Sequence, residues 1–244
     1  MNGRTYVIGD IHGALQALVP LIGKVGPQKD DTLIFIGDYV DGWSESAQVI
    51  SFLINLEKKF NCIFIKGNHD LWCEQWLING STNDLWLNNG GRATIASYQD
   101  MSEERRMQHI DFFRRMKLYF VDEHHRLFIH AGFTSMQGPE KETYESNYYW
   151  DRTLWEMAVC MNKRIEKDSK LYPKRLLLYD EIFIGHTPTL QFGSDIPMQG
   201  CNVWNVDTGA AFTGKISALD IDTKEFWQSD SCQSLYPDEK GRNK

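Results

Sequence analysis

The run Tyr6-Val7-Ile8-Gly9-Asp10-Ile11-His12-Gly13 changes character at its first glycine. Before Gly9 the chain is aromatic and β-branched, the composition of a short strand. After it come a carboxylate and an imidazole in a polar turn, then residues 14–25 with the apolar spacing of a helix. The same grammar recurs twice. Residues 33–36 lead into Gly37-Asp38-Tyr39-Val40-Asp41-Gly42 and a predicted helix over 46–60; residues 63–65 lead into Gly67-Asn68-His69-Asp70 and a predicted helix over 71–78. All three polar turns fall at the C-terminal ends of strands. In α/β sheets that edge binds ligands, because turns and helix N-termini converge there and present N–H groups to anions.

Further along, residues 88–92 read as a glycine-containing loop and 103–116 as a charged helix. Strands are then predicted at 118–121, 127–129, 182–184, 203–206, 216–221 and 226–227. A βαβαβ opening followed by mainly β structure predicts an α/β (α+β) architecture of two packed mixed β-sheets flanked by helices. No shift in composition divides residues 1–244, so one domain is expected. Residues 133–180, which mix Tyr144, Tyr148, Tyr149, Trp150 and Trp155 with many charges, are expected to form a helical cap near the site. The tail from Pro237 onward is expected to fray.

Composition narrows the partners. A net charge of -7 disfavours a nucleic-acid backbone, which needs Lys and Arg to displace counterions. The arginines of 103–116 accordingly read as a solvated face. No apolar run approaches the ~20 residues of a membrane span. A cleavable leader would have to remove Asp10, so a cytoplasmic protein is expected. Five scattered cysteines, none in a C-x-x-C pair, fit neither a disulfide framework nor a zinc ribbon, and are read as reduced and structural.

Of the seven histidines, His12, His69, His130 and His186 follow apolar runs and sit in or beside glycine-containing turns. One such histidine is ordinarily a turn residue satisfied by backbone. Four in this context, with Asp10, Asp38 and Asn68 placed alike, supply the carboxylate, amide and imidazole ligands that hard divalent cations take. A carboxylate among them is needed to bridge a pair of ions about 3.5–4 Å apart.

Gly9-Asp10-Ile11-His12-Gly13, Gly37-Asp38-Tyr39-Val40-Asp41-Gly42, Gly67-Asn68-His69-Asp70, His130-Ala131-Gly132 and Gly185-His186-Thr187 together resemble the ordered signature of the calcineurin-like metallophosphoesterases, in their phosphoprotein phosphatase branch. The resemblance implies that Asp10 and His12 bind a first metal, Asp38 bridges, and Asn68, His130 and His186 bind a second. It further implies His69 as proton donor to the leaving group with Asp41 paired to it, Asn68 also near the phosphate, and direct attack by a metal-bridging hydroxide. Pairing with Asp41 would fix the imidazole tautomer and favour its protonated form. A rival assignment makes His69 a metal ligand. Manganese is ranked first for the two divalent ions, with iron and zinc as alternatives.

The chain departs from that pattern at Gly42, where the family usually has a phosphate-gripping Arg, and Trp43 follows. Arg152, in Trp150-Asp151-Arg152, resembles a second phosphate-binding Arg of the family; paired instead to Asp151 or Glu156 it would be a surface residue. Lys66 and Arg92 are weaker candidates for the missing charge. Trp86-Leu87-Asn88-Asn89-Gly90-Gly91-Arg92-Ala93-Thr94 and Asn205-Val206-Asp207-Thr208-Gly209-Ala210 resemble bacterial members, with turn chemistry as their expected main role. The expected activity is hydrolysis of phosphate monoesters, on a phosphorylated Ser/Thr protein or a small phosphoester, with no nucleic-acid or membrane partner. Symmetrical dinucleoside tetraphosphate hydrolysis is the alternative, and an inactive phospho-ligand binding module the reading from another class.

Overall fold

The computed structural model describes residues 3–243. Ten strands form two five-stranded mixed sheets. The first has the order β10 (Phe226–Gln228), β9 (Ser217–Asp220), β1 (Thr5–Ile8), β2 (Thr32–Phe35), β3 (Asn61–Phe64). Its β1, β2 and β3 are parallel, with Val7 opposite Ile34 and Ile34 opposite Ile63, and β9 returns antiparallel beside β1. The second has the order β4 (Tyr119–Val121), β5 (Leu127–Ile129), β6 (Ile182–Ile184), β8 (Val203–Asn205), β7 (Met198–Gly200). Here β5, β6 and β8 are parallel and the two edge strands antiparallel.

Alternation along the strands decides what packs where, because successive side chains of a strand leave opposite faces. Val7, Ile34, Ile36 and Ile65 point from the first sheet toward Phe128, Phe183 and Val206 of the second, forming the core between the sheets. Tyr6, Ile8, Leu33 and Phe35 face the other way, onto α1 (Leu15–Val25), α2 (Ser46–Leu56), α3 (Asn68–Asn79) and, beyond two short helices, α6 (Glu103–Arg115). Leu127, Ile129, Ile182 and Ile184 face outward from the second sheet. They are covered by α7 (Ser146–Trp150), α8 (Thr153–Cys160) and the chain around them, through Tyr148, Tyr149, Leu154 and Trp155. Each buried side chain of this size contributes about 1.5–3 kcal/mol, so all three interfaces hold the fold together.

Several boundaries differ from expectation. The third helix begins at Asn68, not near Leu71, because Asp70 accepts the Gly67 N–H and starts helical geometry a turn early. The second ends at Leu56, and 57–60 form a turn. The stretch expected to be a loop is a short kink, with non-helical backbone at Asn89 and Gly90, between α4 (Asp84–Trp86) and α5 (Arg92–Ser97). Between 133 and 180, helix is limited to α7, α8 and two 3₁₀ turns. The tail does not fray within the described residues. After α9 (Cys232–Leu235), Tyr236 stacks on Trp43, Glu239 accepts from Ser44 N and Oγ, and Arg242 N donates to the Ala211 carbonyl. All five cysteines are free, and no described helix is long and apolar enough to cross a membrane.

Candidate metal centre and active site

The C-terminal ends of the parallel strands of both sheets meet at one place. Asp10 and His12 follow β1, Asp38 and Asp41 follow β2, and Asn68 and His69 open α3 after β3. His130 follows β5, His186 follows β6 and Asp207 follows β8. The turns are tight enough to force unusual backbone. His12, Asp38, Asp41 and His186 have φ of 53°, 54°, 71° and 67°, the left-handed region that residues with a Cβ avoid. Such strain persists where surrounding structure imposes it, and here it gathers on one set of side chains. Two glycines admit the carboxylates: a Cβ at Gly67 would lie 2.1 Å from Asp38 Oδ1, and one at Gly185 would lie 2.1 Å from Asp10 Oδ1.

Three of the four imidazoles are oriented by their far nitrogen. His12 Nδ1 donates to the Asp41 carbonyl at 2.8 Å and His130 Nδ1 to the Ile36 carbonyl at 2.9 Å, which fixes both tautomers. Their Nε2 atoms turn inward. His12 Nε2 lies 3.7 Å from Asp38 Oδ2 and 3.9 Å from Asp10 Oδ2; His130 Nε2 lies 3.4 Å from Asp38 Oδ1 and 3.3 Å from Asn68 Oδ1. His69 Nδ1 contacts Asp41 Oδ2 at 2.7 Å, and its Nε2 lies 4.0 Å from Asp38 Oδ2. His186 Nε2 is buried with no hydrogen-bond partner.

Two donor clusters result, His12–Asp38–His69 and Asp38–His130–His186, sharing Asp38. This is a dinuclear site for divalent cations, and the residues fit that role on two further grounds. The unpartnered His186 Nε2 is a buried lone pair that needs a cation or donor. Asp10, Asp38, Asp41, Asp70 and Asp207 are all buried, a concentration of carboxylates that is costly without positive charge.

The site's acid–base character follows from burial. Burial, with Asp207 and Asp38 nearby, raises Asp10 well above the usual carboxylate range. It lowers His12 and His186 well below the usual imidazole range, leaving them neutral, as ligands must be. For Asp38 burial opposes the charge, but the imidazoles around it, His130 foremost with Nε2 at 3.4 Å, outweigh burial and hold the shared carboxyl well below the usual carboxylate range. Burial pushes Asp41 up to about 8, against hydrogen bonds from Thr94 and Trp86, and pushes His69 down to about 3. The Asp41 contact therefore fixes the His69 tautomer, whereas burial opposes the protonated imidazole that pairing was expected to favour.

Residues that carried no expected role hold these groups in place. Asp70 accepts N–H bonds from Asp38, Tyr39 and Gly67 at 2.8, 2.9 and 2.8 Å, fastening the Asp38 turn to the start of α3. Trp86 Nε1 and Thr94 Oγ1 donate to Asp41 Oδ2 and Oδ1 at 2.7 and 2.6 Å. The Trp86-to-Thr94 motif thus does more than turn the chain: it fixes the carboxylate behind His69. Asp207 accepts from Gly209 N in the turn expected there.

A cavity of about 190 Å³ opens over the donors, lined by Asp38, Asn68, His69 and His186 below and by Trp72, Leu85, Asn89, Trp150, Arg152 and Arg242 around it. Larger clefts elsewhere contain none of these residues. Trp72 packs edge-on to His69 at 5.2 Å and to Trp150 at 5.1 Å; Trp150, 41% exposed, meets His186 edge-on at 5.7 Å. Tyr148, Tyr149 and Trp155 are core residues instead. Asp151 is paired with Arg175, and among the described residues Arg152 makes no ion pair. Lys66 is buried against Glu74 at 2.7 Å, and Arg92, at the start of α5, does not line the cavity.

The family model for calcineurin-like phosphoesterase matches residues 3–211. The chain belongs to that family. Among curated relatives of this calcineurin-like phosphoesterase is the asymmetrical bis(5'-nucleosyl)-tetraphosphatase PrpE of Oceanobacillus iheyensis, 28% identical over 234 residues, covering 90% of this chain and 89% of the relative. A symmetrical bis(5'-nucleosyl)-tetraphosphatase of Neisseria gonorrhoeae is 26% identical over 272 residues, covering 91% and 94%. A protein serine/threonine phosphatase from Saccharomyces cerevisiae shares the fold, with a TM-score of 0.61 at 14% identity over 94% of this chain and 80% of that one. A solved structure provisionally named a diadenosine tetraphosphatase superposes with a TM-score of 0.63 at 17% identity, covering 95% of each chain.

Proposed function

We propose that this metal-dependent phosphoesterase hydrolyses the polyphosphate chain of dinucleoside tetraphosphates, in preference to phosphoproteins. The observation that carries this is Trp150: an exposed indole braced edge-on by Trp72 and His186 at the mouth of the cavity, beside the Arg152 guanidinium. An aromatic face next to fixed positive charge suits a nucleobase attached to a phosphate chain. The relatives named as tetraphosphatases, asymmetrical and symmetrical alike, match nearly the whole chain and support the same substrate class. This reverses the order expected from the sequence, where a Ser/Thr phosphoprotein or a small phosphomonoester ranked first.

Asp10, His12 and Asp38 hold one cation in this reading, and Asp38, Asn68, His130 and His186 the other, manganese being the first choice. When bound, such a pair supplies Lewis acidity that acidifies a water and offsets charge on phosphoryl oxygens. Asn68 and Arg152 orient the phosphate, Asn68 from the positive N-terminus of α3. His69 turns Nε2 toward the cavity while Asp41 holds its Nδ1, the placement of a proton donor to the leaving oxygen once phosphate charge in the cavity offsets the burial that disfavours the imidazolium. Trp72 and Trp150 restrict water at that face.

The test is hydrolysis of diadenosine tetraphosphate, p-nitrophenyl phosphate and a phosphoserine peptide by metal-stripped protein, with and without Mn²⁺. Mn²⁺-dependent cleavage of the dinucleotide with the highest kcat/KM is expected; ADP alone marks a symmetrical cut, and ATP with AMP an asymmetrical one. A preference for the phosphopeptide would replace this reading with the protein phosphatase, and no turnover of any substrate would favour the binding module.

A further inference from the structure

The Asp38-to-Gly42 turn lacks a cationic side chain, and the structure indicates where one comes from. Gly42 has φ 128°, a conformation L side chains rarely adopt, so this turn is built without a Cβ. A Cβ placed there would lie 3.2 Å from the His12 carbonyl oxygen and 3.7 Å from Arg242 Cγ. The space in front of Gly42 is therefore taken by an arginine from the far end of the chain. Arg242 reaches it because the tail docks on the residues that follow Gly42: Trp43, fully buried, stacks on Tyr236 at 5.1 Å, and Ser44 donates to Glu239. Gly241 passes so close that a Cβ would lie 2.7 Å from the Trp43 ring.

The Arg242 guanidinium is only partly used by the protein. Arg242 lines the cavity together with Asp38, Asn68, His69 and Arg152. Its Nη2 donates to Asn89 Oδ1 at 3.0 Å and its Cζ lies 5.4 Å from the Phe212 ring centre, while its buried Nε has no partner. No carboxylate pairs with it among the described residues. A planar fork with unspent donors, on a residue that lines a pocket shared with cation ligands, is suited to oxygens of a phosphate.

We infer that Arg242, carried by the docked C-terminal segment, is a phosphate-binding residue of this active site and supplies the positive charge that the turn at Gly42 does not. The inference rests on the polyphosphate reading only for the identity of the phosphate. It makes Arg242, held in place by the docking of Tyr236 and Glu239, part of the site.

The test is calorimetric titration of inorganic phosphate into the Mn²⁺-loaded protein, for wild type, Arg242→Ala, Arg242→Gln and the exposed control Lys240→Ala. The dissociation constant is expected to rise at least tenfold in Arg242→Ala and Arg242→Gln and to stay unchanged in Lys240→Ala, with bound Mn²⁺ and Tm as in wild type. Arg242→Gln keeps the length of the side chain and serves where the alanine variant unfolds. In turnover, KM for diadenosine tetraphosphate should rise in the same variants more than kcat falls, and millimolar guanidinium should partly restore Arg242→Ala. Phosphate binding equal to wild type in either Arg242 variant would overturn the inference. Failure of wild type to cleave the dinucleotide would remove the substrate reading while the phosphate titration still decides Arg242.

Discussion

The two halves of the site are assembled by different means. His12, Asp38 and His69 all come from turns of the first sheet, on consecutive βα units whose parallel strands are hydrogen-bonded neighbours. His130 and His186 come from the second sheet and reach Asp38 only because the two sheets pack face to face through Phe128, Phe183, Val7 and Ile34. The first cluster is therefore fixed by local strand pairing and the second by the docking of layers. Asp38 is the one donor both share.

The largest effect should come from that shared residue. Asp38→Asn removes charge from both clusters at once, and bound Mn²⁺ measured by mass spectrometry should fall with turnover down by about a thousandfold, the scale of losing a principal stabiliser of transition-state charge. Retention of one full equivalent of metal would show that the clusters are independent. Next is His69, which stands in the first cluster yet contacts Asp41. His69→Asn should lower kcat by about 10²- to 10⁴-fold with metal content intact if it moves a proton. Loss of one metal equivalent would make it a ligand and sharpen the first cluster to His12, Asp38 and His69.

A smaller effect is expected behind His69. Trp86→Phe deletes one donor to the Asp41 carboxyl, a bond of about 0.5–1.5 kcal/mol net, and kcat should fall by up to about tenfold with KM little changed. An unchanged kcat would leave Thr94 as the sole support. The contrast between the halves is met directly by Phe183→Leu, which thins the stacked Phe128–Phe183 pair in the core between the sheets at a cost of about 1 kcal/mol. In a metal titration it should weaken one of two binding steps and spare the other; equal weakening of both would end the distinction drawn here.

The smallest effect lies in the segment over the second sheet. Burial works against charge on Glu142, but N–H groups of Thr134 and Ser135 and the Asn147 amide outweigh it and hold the carboxyl at about 2. A depressed folded-state value stabilises above the unfolded value near ~4.3 and is lost as pH falls through the folded one. Proteolysis within 133–145 should thus accelerate between about pH 4 and 2 in wild type, while Glu142→Gln should show that susceptibility already at neutral pH.

The first half of the site was legible because its information is local. Asp10, Asp38 and Asn68 each stand one residue after a glycine that closes a short apolar run, and strand-to-turn transitions are written in such runs. His130 and His186 could be read from the same cue, though which cation each serves depends on packing. The start of α3 was misplaced because Asp70 acts as a cap and also as an acceptor for the Asp38 turn, a second use with no signal in the helix's own sequence. Asn-Gly-Gly within 88–92 is ordinary loop chemistry and does kink the chain there; what it could not show is that the flanking Trp86 and Thr94 close onto Asp41.

By itself, then, the sequence determined the strand-turn-helix units and placed a donor at the end of each, since periodicity and turn residues act over a few positions. Tertiary structure decided everything that depends on contacts across long stretches of chain: Trp86 and Thr94 on Asp41, Trp72 against Trp150, and Arg242 in front of Gly42. The physical reason is that a buried charge or an open turn is satisfied by whichever group the closed fold brings within reach. The chain does not announce that partner until its ends have met.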